Sequence, residues 1–337
     1  MQILSVLSLA ALAAASPISI GDYRRALKTV KRQVSTVDVD NFDFYAEHSG
    51  AAYCNSADVE AGAKITCGGT CDEVEANGAT IVGTFDGLWT GIASYVAVDT
   101  VRKEVVFSAR GSTNIRNWIA NVNFGFTDLD LADGAKAHSG FNQAWGEMSS
   151  GVTDAINQAL ADNPGFKVVA TGHSLGGAVA TLGAANLRAG GLAVDLYTYG
   201  SPRAGNDVLA DFITGQDGPE YRITHIDDPV PRLPPIFTGY RHTSPEYWLS
   251  VDEAGGDDYP IADIRVCDGN ANVDCNGGTF GLNIAAHLSY FGDIAGCNPI
   301  LGRKKLASTD GVNVSDDDLE TQVNEWVQKD IDFVNGE

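Results

Sequence analysis

The segment from Val168 to Thr181, VVATGHSLGGAVAT, sets one serine between two glycines in the order Gly172-His173-Ser174-Leu175-Gly176. Glycines at this spacing leave room for a sharp strand-to-helix turn that holds the serine in a strained conformation with its oxygen clear of the backbone. A serine so placed is a nucleophile for acyl transfer. Leu175 would open the following helix and offer its backbone N–H to a developing oxyanion, where helical N–H groups are unpaired and the dipole favours negative charge. A turn that only packs helix on strand has the same spacing. Here, however, an apolar, β-branched run precedes the serine and small, helix-tolerant residues follow it.

A serine nucleophile needs a base, and the base needs an orienting carboxylate. For this kind of turn the chain order is serine, acid, histidine, which places both partners downstream of Ser174. The run YRITHIDDPVPRLPP ends a β-rich stretch at Asp227 and Asp228, just ahead of Pro229, which turns the chain out of a sheet. Either aspartate fits. Among the later histidines, His225 falls inside the strand and His242 follows closely in GYRHTSPEYW. His287, in NIAAHLSYFG, lies far enough along to return to the strand ends, and topology favours it. His48, His138 and His173 precede the nucleophile. His173 should point away from Ser174 on a strand-like backbone and reads as structural.

Substrate access points to a further segment. Ile115, Trp118, Ile119 and Val122 recur at helical spacing after Arg110-Gly111-Ser112, with Asn and Arg on the opposite face. The pattern is a short amphipathic helix, about two turns long, with polar or glycine-containing flanks. Such a helix either packs on the surface or works as a lid, hiding apolar residues over a site and exposing them at an oily interface.

These groups need a scaffold. Strand patterns at Gly91–Val98, Glu104–Ala109, Lys167–Thr171, Val194–Gly200 and Tyr221–His225 alternate with helical periodicity, clearest from Phe141 to Leu160. The alternation predicts an α/β fold with a central, mostly parallel sheet covered by helices. In such sheets the reacting group belongs at the carboxyl end of a strand, where Ser174 sits. With 44% hydrophobic residues in 337, the chain has material for a full-size core.

The first residues, MQILSVLSLAALAAAS, have an uncharged apolar core ending in small residues, and residues 1–15 read as a signal peptide. Residues 16–32 are short, basic and end in Lys31-Arg32, as a propeptide would. Without them the formal net charge moves from −22 to −26. That charge disfavours nucleic acid and anionic membranes and suits a neutral substrate outside the cell. Six cysteines behind a secretory start suggest three disulfides, although sequence alone does not choose the pairing. Cys67 and Cys71, like Cys267 and Cys275, are close enough for local loops, which would leave Cys54 and Cys297 to join opposite ends. No metal site is expected, because neither C-x₂-C nor a close histidine pair occurs. Residues 33–297 then form the catalytic domain. Residues 298–337 form an extension: a linker, the glycosylation sequon Asn313-Val314-Ser315, and a helix opened by Ser315 and Asp318 whose Leu319, Val323, Trp326, Val327, Ile331 and Val334 share one face.

The segments ARGSTNIRNWIAN, HSGF, TGHSLGGAVATL, YGSPRAGN, THIDDPVPRLPP, GYRHTSPEYW and AHLSYF jointly resemble the secreted class 3 lipases of filamentous fungi, of the Thermomyces and Rhizomucor type and nearest to a secreted Fusarium lipase. The likeness runs from about Phe42 to Cys297. It implies an α/β-hydrolase fold and a Ser174, Asp228, His287 triad, selecting the second aspartate. It also implies an oxyanion hole of Ser112 and Leu175, a lid carrying Ile115, Trp118, Ile119 and Val122, and the pairs Cys54 with Cys297, Cys67 with Cys71, and Cys267 with Cys275. The activity so implied is cofactor-free hydrolysis of acylglycerols, triacylglycerol first, at a lipid–water interface by a secreted, extracellular enzyme without a membrane span. A feruloyl esterase, a mono- or diacylglycerol lipase, a phospholipase A1, or a non-catalytic lipid-binding protein on the same fold are the alternatives.

Overall fold

The structure, a computed structural model, describes residues 34–57, 59–112, 114–251, 259–297 and 314–336. The expected signal peptide and propeptide, Asn313 of the sequon and most of the expected linker lie outside the described residues. From Val34 onward the chain forms one compact unit.

Helix α1 (Thr36–Asn55) starts at a capping box in which Ser35 and Asp38 satisfy each other's backbone donors. A short helix α2 (Asp72–Asn77) follows, then strands β1 (Thr80–Asp86), β2 (Ala93–Asp99) and β3 (Glu104–Ala109), and helix α3 (Ile115–Asn121). Next come β4 (Phe126–Asp128), β5 (Lys136–His138), α4 (Ser139–Asp162), β6 (Lys167–His173), α5 (Leu175–Ala189) and β7 (Val194–Tyr199). The chain continues through β8 (Gly205–Asn206), α6 (Asp207–Gly215), β9 (Glu220–His225), β10 (Tyr240–Arg241), β11 (Glu246–Leu249) and β12 (Ile264–Cys267). It ends with α7 (Ile284–His287) and α8 (Asp316–Asn335).

The main sheet has the order β1-β2-β3-β6-β7-β9-β11-β12. Its middle, from β3 through β6, β7 and β9 to β11, is parallel, while β1, β2 and β12 are antiparallel additions at the two edges. Strand pleat sorts the side chains between two cores. Val105, Phe107, Val168 and Ala170 face the helices α4 and α5, with Trp145, Ile156, Val179 and Leu182. Val106, Val169, Tyr197 and Tyr199 face α1, with Phe42, Phe44 and Tyr45. A parallel sheet must be covered on both sides, and these helices cover it. The small antiparallel sheet β10-β8-β5-β4 lies apart from the main one.

The cysteines pair as Cys54–Cys297, Cys67–Cys71 and Cys267–Cys275. The first ties the end of α1 to the chain just beyond α7, and the third closes a loop ahead of α7.

Candidate active site

Ser174 is the hinge between β6 and α5. Its φ of 58° and ψ of −132° are strained for a residue with a side chain. The flanking glycines have a steric reason: a Cβ on Gly172 would meet Gly176 O, and one on Gly176 would meet Ala109 O at the end of β3. The turn is fixed by Ser174 N donating to Tyr199 O (2.9 Å) and Gly177 N donating to Ser174 O (2.9 Å). The serine makes no capping bond, and its buried Oγ has no partner among the described residues. Buried hydroxyls are as a rule hydrogen-bonded, so this one stands out.

Of the two aspartates that fit the spacing, Asp228 faces a histidine. His287 Nδ1 lies 2.9 and 3.0 Å from its two carboxylate oxygens, and both residues are fully buried. With Nδ1 donating to the carboxylate, Nε2 is the free, basic nitrogen, and it too has no partner among the described residues. Asp228 also accepts from Val230 N (2.8 Å) and from the Tyr290 hydroxyl (2.6 Å). Tyr290 was not singled out from sequence; its one signal there was its place three residues beyond His287. Burial and then the Asp228 charge push its hydroxyl well above the usual tyrosine range, so it stays a donor. Asp227 instead accepts from Asn283 Nδ2 (2.8 Å), and Asn283 Oδ1 accepts from Ala286 N to cap the short helix carrying His287.

Strand order brings these groups to Ser174. Tyr199, which receives the Ser174 N–H, is followed by Gly200 with φ 55°. A Cβ there would stand 2.8 Å from Asp228 Oδ2 and 3.0 Å from His287 Nδ1, so only glycine lets β7 pass under the pair. His173 also takes part. Its ring lies 4.5 Å from that of His287, its Nε2 is 2.8 Å from His287 O, and its Nδ1 is 2.8 Å from the Tyr53 hydroxyl. Nε2 therefore carries the proton and Nδ1 accepts from Tyr53. Burial, then the neighbouring His287, lower the His173 pKa well below the usual value and keep the ring neutral. Of the remaining histidines, His225 packs behind the pair, with its carbonyl accepting from Asp228 N, and the others lie elsewhere. His225 meets Ala286 O and Tyr259, His242 meets Pro231 O, His48 meets Tyr95, and His138 caps α4.

Gly111 closes the other side: a Cβ on it would stand 2.8 Å from both His173 O and Ser174 Cβ. Ser112 comes next, with its Oγ accepting from Asn114 N (3.1 Å), and Leu175 is the first residue of α5. Asn114 caps α3 by accepting from Asn117 N. Ile115 and Ile119 are buried in the same core as α4 and α5, Trp118 is half-buried with its ring stacked on Phe141, and Val122 is the half-buried residue that ends the helix.

Arg116, on the polar face of α3, does not meet solvent as the amphipathic pattern suggests, whereas Asn121 does. Arg116 is only 4% exposed. Its Nε donates to Asp316 and its Nη2 to Val314 O (2.7 Å), because α8 lies against this side. Leu319 and Val323 of α8 join the core that holds Ile115 and Ile119, and Trp326 meets Phe124 edge-on at 5.4 Å. Val327 is buried, Ile331 half-buried and Val334 exposed. Asp330 departs from the expected apolar face. It is buried, pairs with Arg203 at 3.3 Å, and accepts from Phe237 N at 3.0 Å.

Residues 106–238 match the family described as Lipase (class 3), and residues 3–82 match the Lipase 3 N-terminal region. The secreted mono- and diacylglycerol lipase 1 of Fusarium solani is 51% identical over 99% of this chain and 98% of its own. The secreted mono- and diacylglycerol lipase A of Penicillium cyclopium is 41% identical over 83% of this chain and 93% of its own. Among solved structures, a mono- and diacylglycerol lipase from Aspergillus oryzae superimposes with a TM-score of 0.74 at 38% identity, covering 78% of this chain and 100% of that one. No helix among the described residues is long and apolar enough to cross a membrane. With identity of this extent along the whole chain and the same fold, the chain belongs to the class 3 lipases, enzymes that hydrolyse acylglycerol esters.

Proposed function

We propose that this lipase is secreted and acts on mono- and diacylglycerols through a Ser174–His287–Asp228 acyl-enzyme mechanism, with α3 as its lid. The observation that carries the mechanism is the pairing of His287 Nδ1 with Asp228 beside a strained serine, while His287 Nε2 and Ser174 Oγ are buried without partners among the described residues. Ser174 Oγ attacks the ester carbonyl as His287 Nε2 takes its proton, and Asp228 stabilises the imidazolium. The tetrahedral oxyanion is met by Leu175 N–H and by Ser112. The glycerol oxygen leaves with the proton from His287, and water repeats the sequence on the acyl-enzyme. No step calls for a cofactor.

The preference for partial glycerides rests on the names of the Fusarium and Penicillium relatives. Triacylglycerol, expected from the sequence, is the competing reading. The apolar face of α3 speaks for a lipid ester over a soluble ferulate and is neutral towards phospholipid. The test compares release of fatty acid from monoolein, diolein, triolein and phosphatidylcholine, with methyl ferulate alongside, by the processed protein and by Ser174→Ala. Diolein turnover well above triolein, abolished by the substitution, is expected. Equal or faster triolein turnover overturns the substrate reading, and release by Ser174→Ala overturns the mechanism. Ser112→Ala should lower turnover by about 10²- to 10³-fold.

A further inference from the structure

The turn from Gly87 to Gly91 joins β1 to β2 at the same end of the sheet as Ser174. Asp86 pairs with Ala93, and Ser94 pairs with Ala109, the last residue of β3. β2 is two strands from β6, so the turn stands about 10 Å across the sheet from the end of the nucleophile's strand.

This turn is built to be rigid. Glu147 on α4 accepts through one carboxylate oxygen from Thr90 Oγ1 (2.9 Å), Thr90 N (3.3 Å) and Trp89 N (3.4 Å). Gly87 N donates to Ile92 O (2.8 Å) and Gly91 N to Gly87 O (2.9 Å). Arg110 donates to Gly91 O (2.7 Å), tying the turn to the residue just before Gly111 and Ser112. At its tip stand Leu88, 90% exposed, and Trp89, 84% exposed, the most exposed large apolar side chains among the described residues. Glu147 takes the backbone donors of Trp89 and Thr90 and so fixes the course of the turn, which carries Leu88 and Trp89 out into solvent. Nothing in the fold gains from them.

We infer that Leu88 and Trp89 are a fixed foot that enters an uncharged or zwitterionic lipid surface and holds the mouth of the site against it. The inference rests on the acylglycerol reading, which puts the substrate in such a surface. The occupant is chosen by charge and chemistry: a chain with a formal net charge of −22 is repelled by anionic lipid, and an indole beside an aliphatic side chain suits the boundary of headgroups and acyl chains. Since the hydrogen bonds that hold the turn come from α4, Arg110 and the turn itself, the foot is in place wherever α3 stands.

The experiment measures partition onto phosphatidylcholine vesicles in a Ser174→Ala background, with and without Leu88→Ser and Trp89→Ser. The double substitution should lower the partition coefficient by about 10- to 100-fold. In the active background it should leave turnover of a dissolved short-chain ester unchanged. Unchanged partition in a double variant that keeps this turnover overturns the inference. Trp89→Phe is the second probe: partition should persist while the blue shift of tryptophan emission on vesicles shrinks, and a full blue shift without Trp89 also overturns it. Lack of ester release by the parent would sink the acylglycerol reading, while the vesicle measurement would still decide the foot by itself.

Discussion

Arg116 of α3 and Asp316 of α8, 200 positions apart, are joined by a hydrogen-bonded ion pair in which the arginine is 4% exposed and the aspartate 66%. The arginine also donates to Val314 O. If α3 swings away as the proposed lid, it must leave both partners, so the C-terminal helix biases it towards the position seen. An ion pair open to water on one side is worth little, on the order of a few-fold in an equilibrium. Asp316→Ala should therefore raise turnover of a dissolved ester by about two- to fivefold and reduce the jump in activity at the onset of droplets by a similar factor. Identical profiles for the parent and the variant would mean that α8 does not restrain α3 through this contact.

Tyr290→Phe removes one hydroxyl and leaves the ring in its buried place. Asp228 keeps Val230 N and His287 Nδ1 but loses its 2.6 Å donor. A hydrogen bond to a buried carboxylate contributes about 1.5–3 kcal/mol. If half of that acts through the orientation of His287, kcat falls by about 4- to 12-fold with KM nearly unchanged. A fall confined to KM would show that Tyr290 shapes substrate binding instead.

The sheet and the strand-to-helix turn at Ser174 are legible because their causes are local. A β-branched run makes a buried strand, and the clash of Gly172 with Gly176 and of Gly176 with β3 demands glycine at those two positions. Strands β1, β11 and β12 are harder to read, since β11 and β12 are only four residues long and the register of β1 is broken between Ile81 and Gly83. The choice between Asp227 and Asp228 is made by residues 56 and 59 positions away, Asn283 for one and His287 for the other. Arg116 reads as a solvent-facing residue until α8 covers it. Asp330 reads as part of the polar side of α8 until Arg203 meets it, 127 positions earlier in the chain. Spacing along one helix carries no trace of such partners.

Arg203 and Asp330 are 1% and 2% exposed. Burial lowers the Arg203 pKa to about 10, which still leaves it a cation at neutral pH. Its Nη1 also donates to Arg232 O and Pro234 O, but those carbonyls do not neutralise it. Removing the charge of a buried partner costs about 3–5 kcal/mol. Asp330→Asn should therefore shift the urea midpoint down by that equivalent. Truncation before residue 314 should do at least as much, because it also exposes the core under Leu319 and Val323. A midpoint within error of the parent would show that the carbonyl oxygens alone suffice for Arg203.

His48 gives the fold a dependence on acid. It is fully buried on α1, with Nδ1 2.8 Å from the Tyr95 hydroxyl, and burial lowers its pKa from 6.5 to about 3. Below about pH 6.5 the unfolded chain takes up a proton at this position that the folded chain refuses until about pH 3. The unfolded state then binds more protons, so stability rises with pH across this window and is lost as pH falls through it. Each pH unit costs up to about 1.4 kcal/mol from this one residue. Buried His173 and His242, also lowered, act in the same direction, so the parent's own curve does not isolate His48. His48→Gln does, because those contributions cancel in the difference between variant and parent. Urea midpoints at pH 7, 6, 5 and 4.5 should show the parent's advantage over the variant shrinking by about 2 kcal/mol between pH 6 and pH 4.5. Parallel curves would mean that the folded protein lets His48 take its proton near the ordinary histidine value, with water reaching the ring under α1.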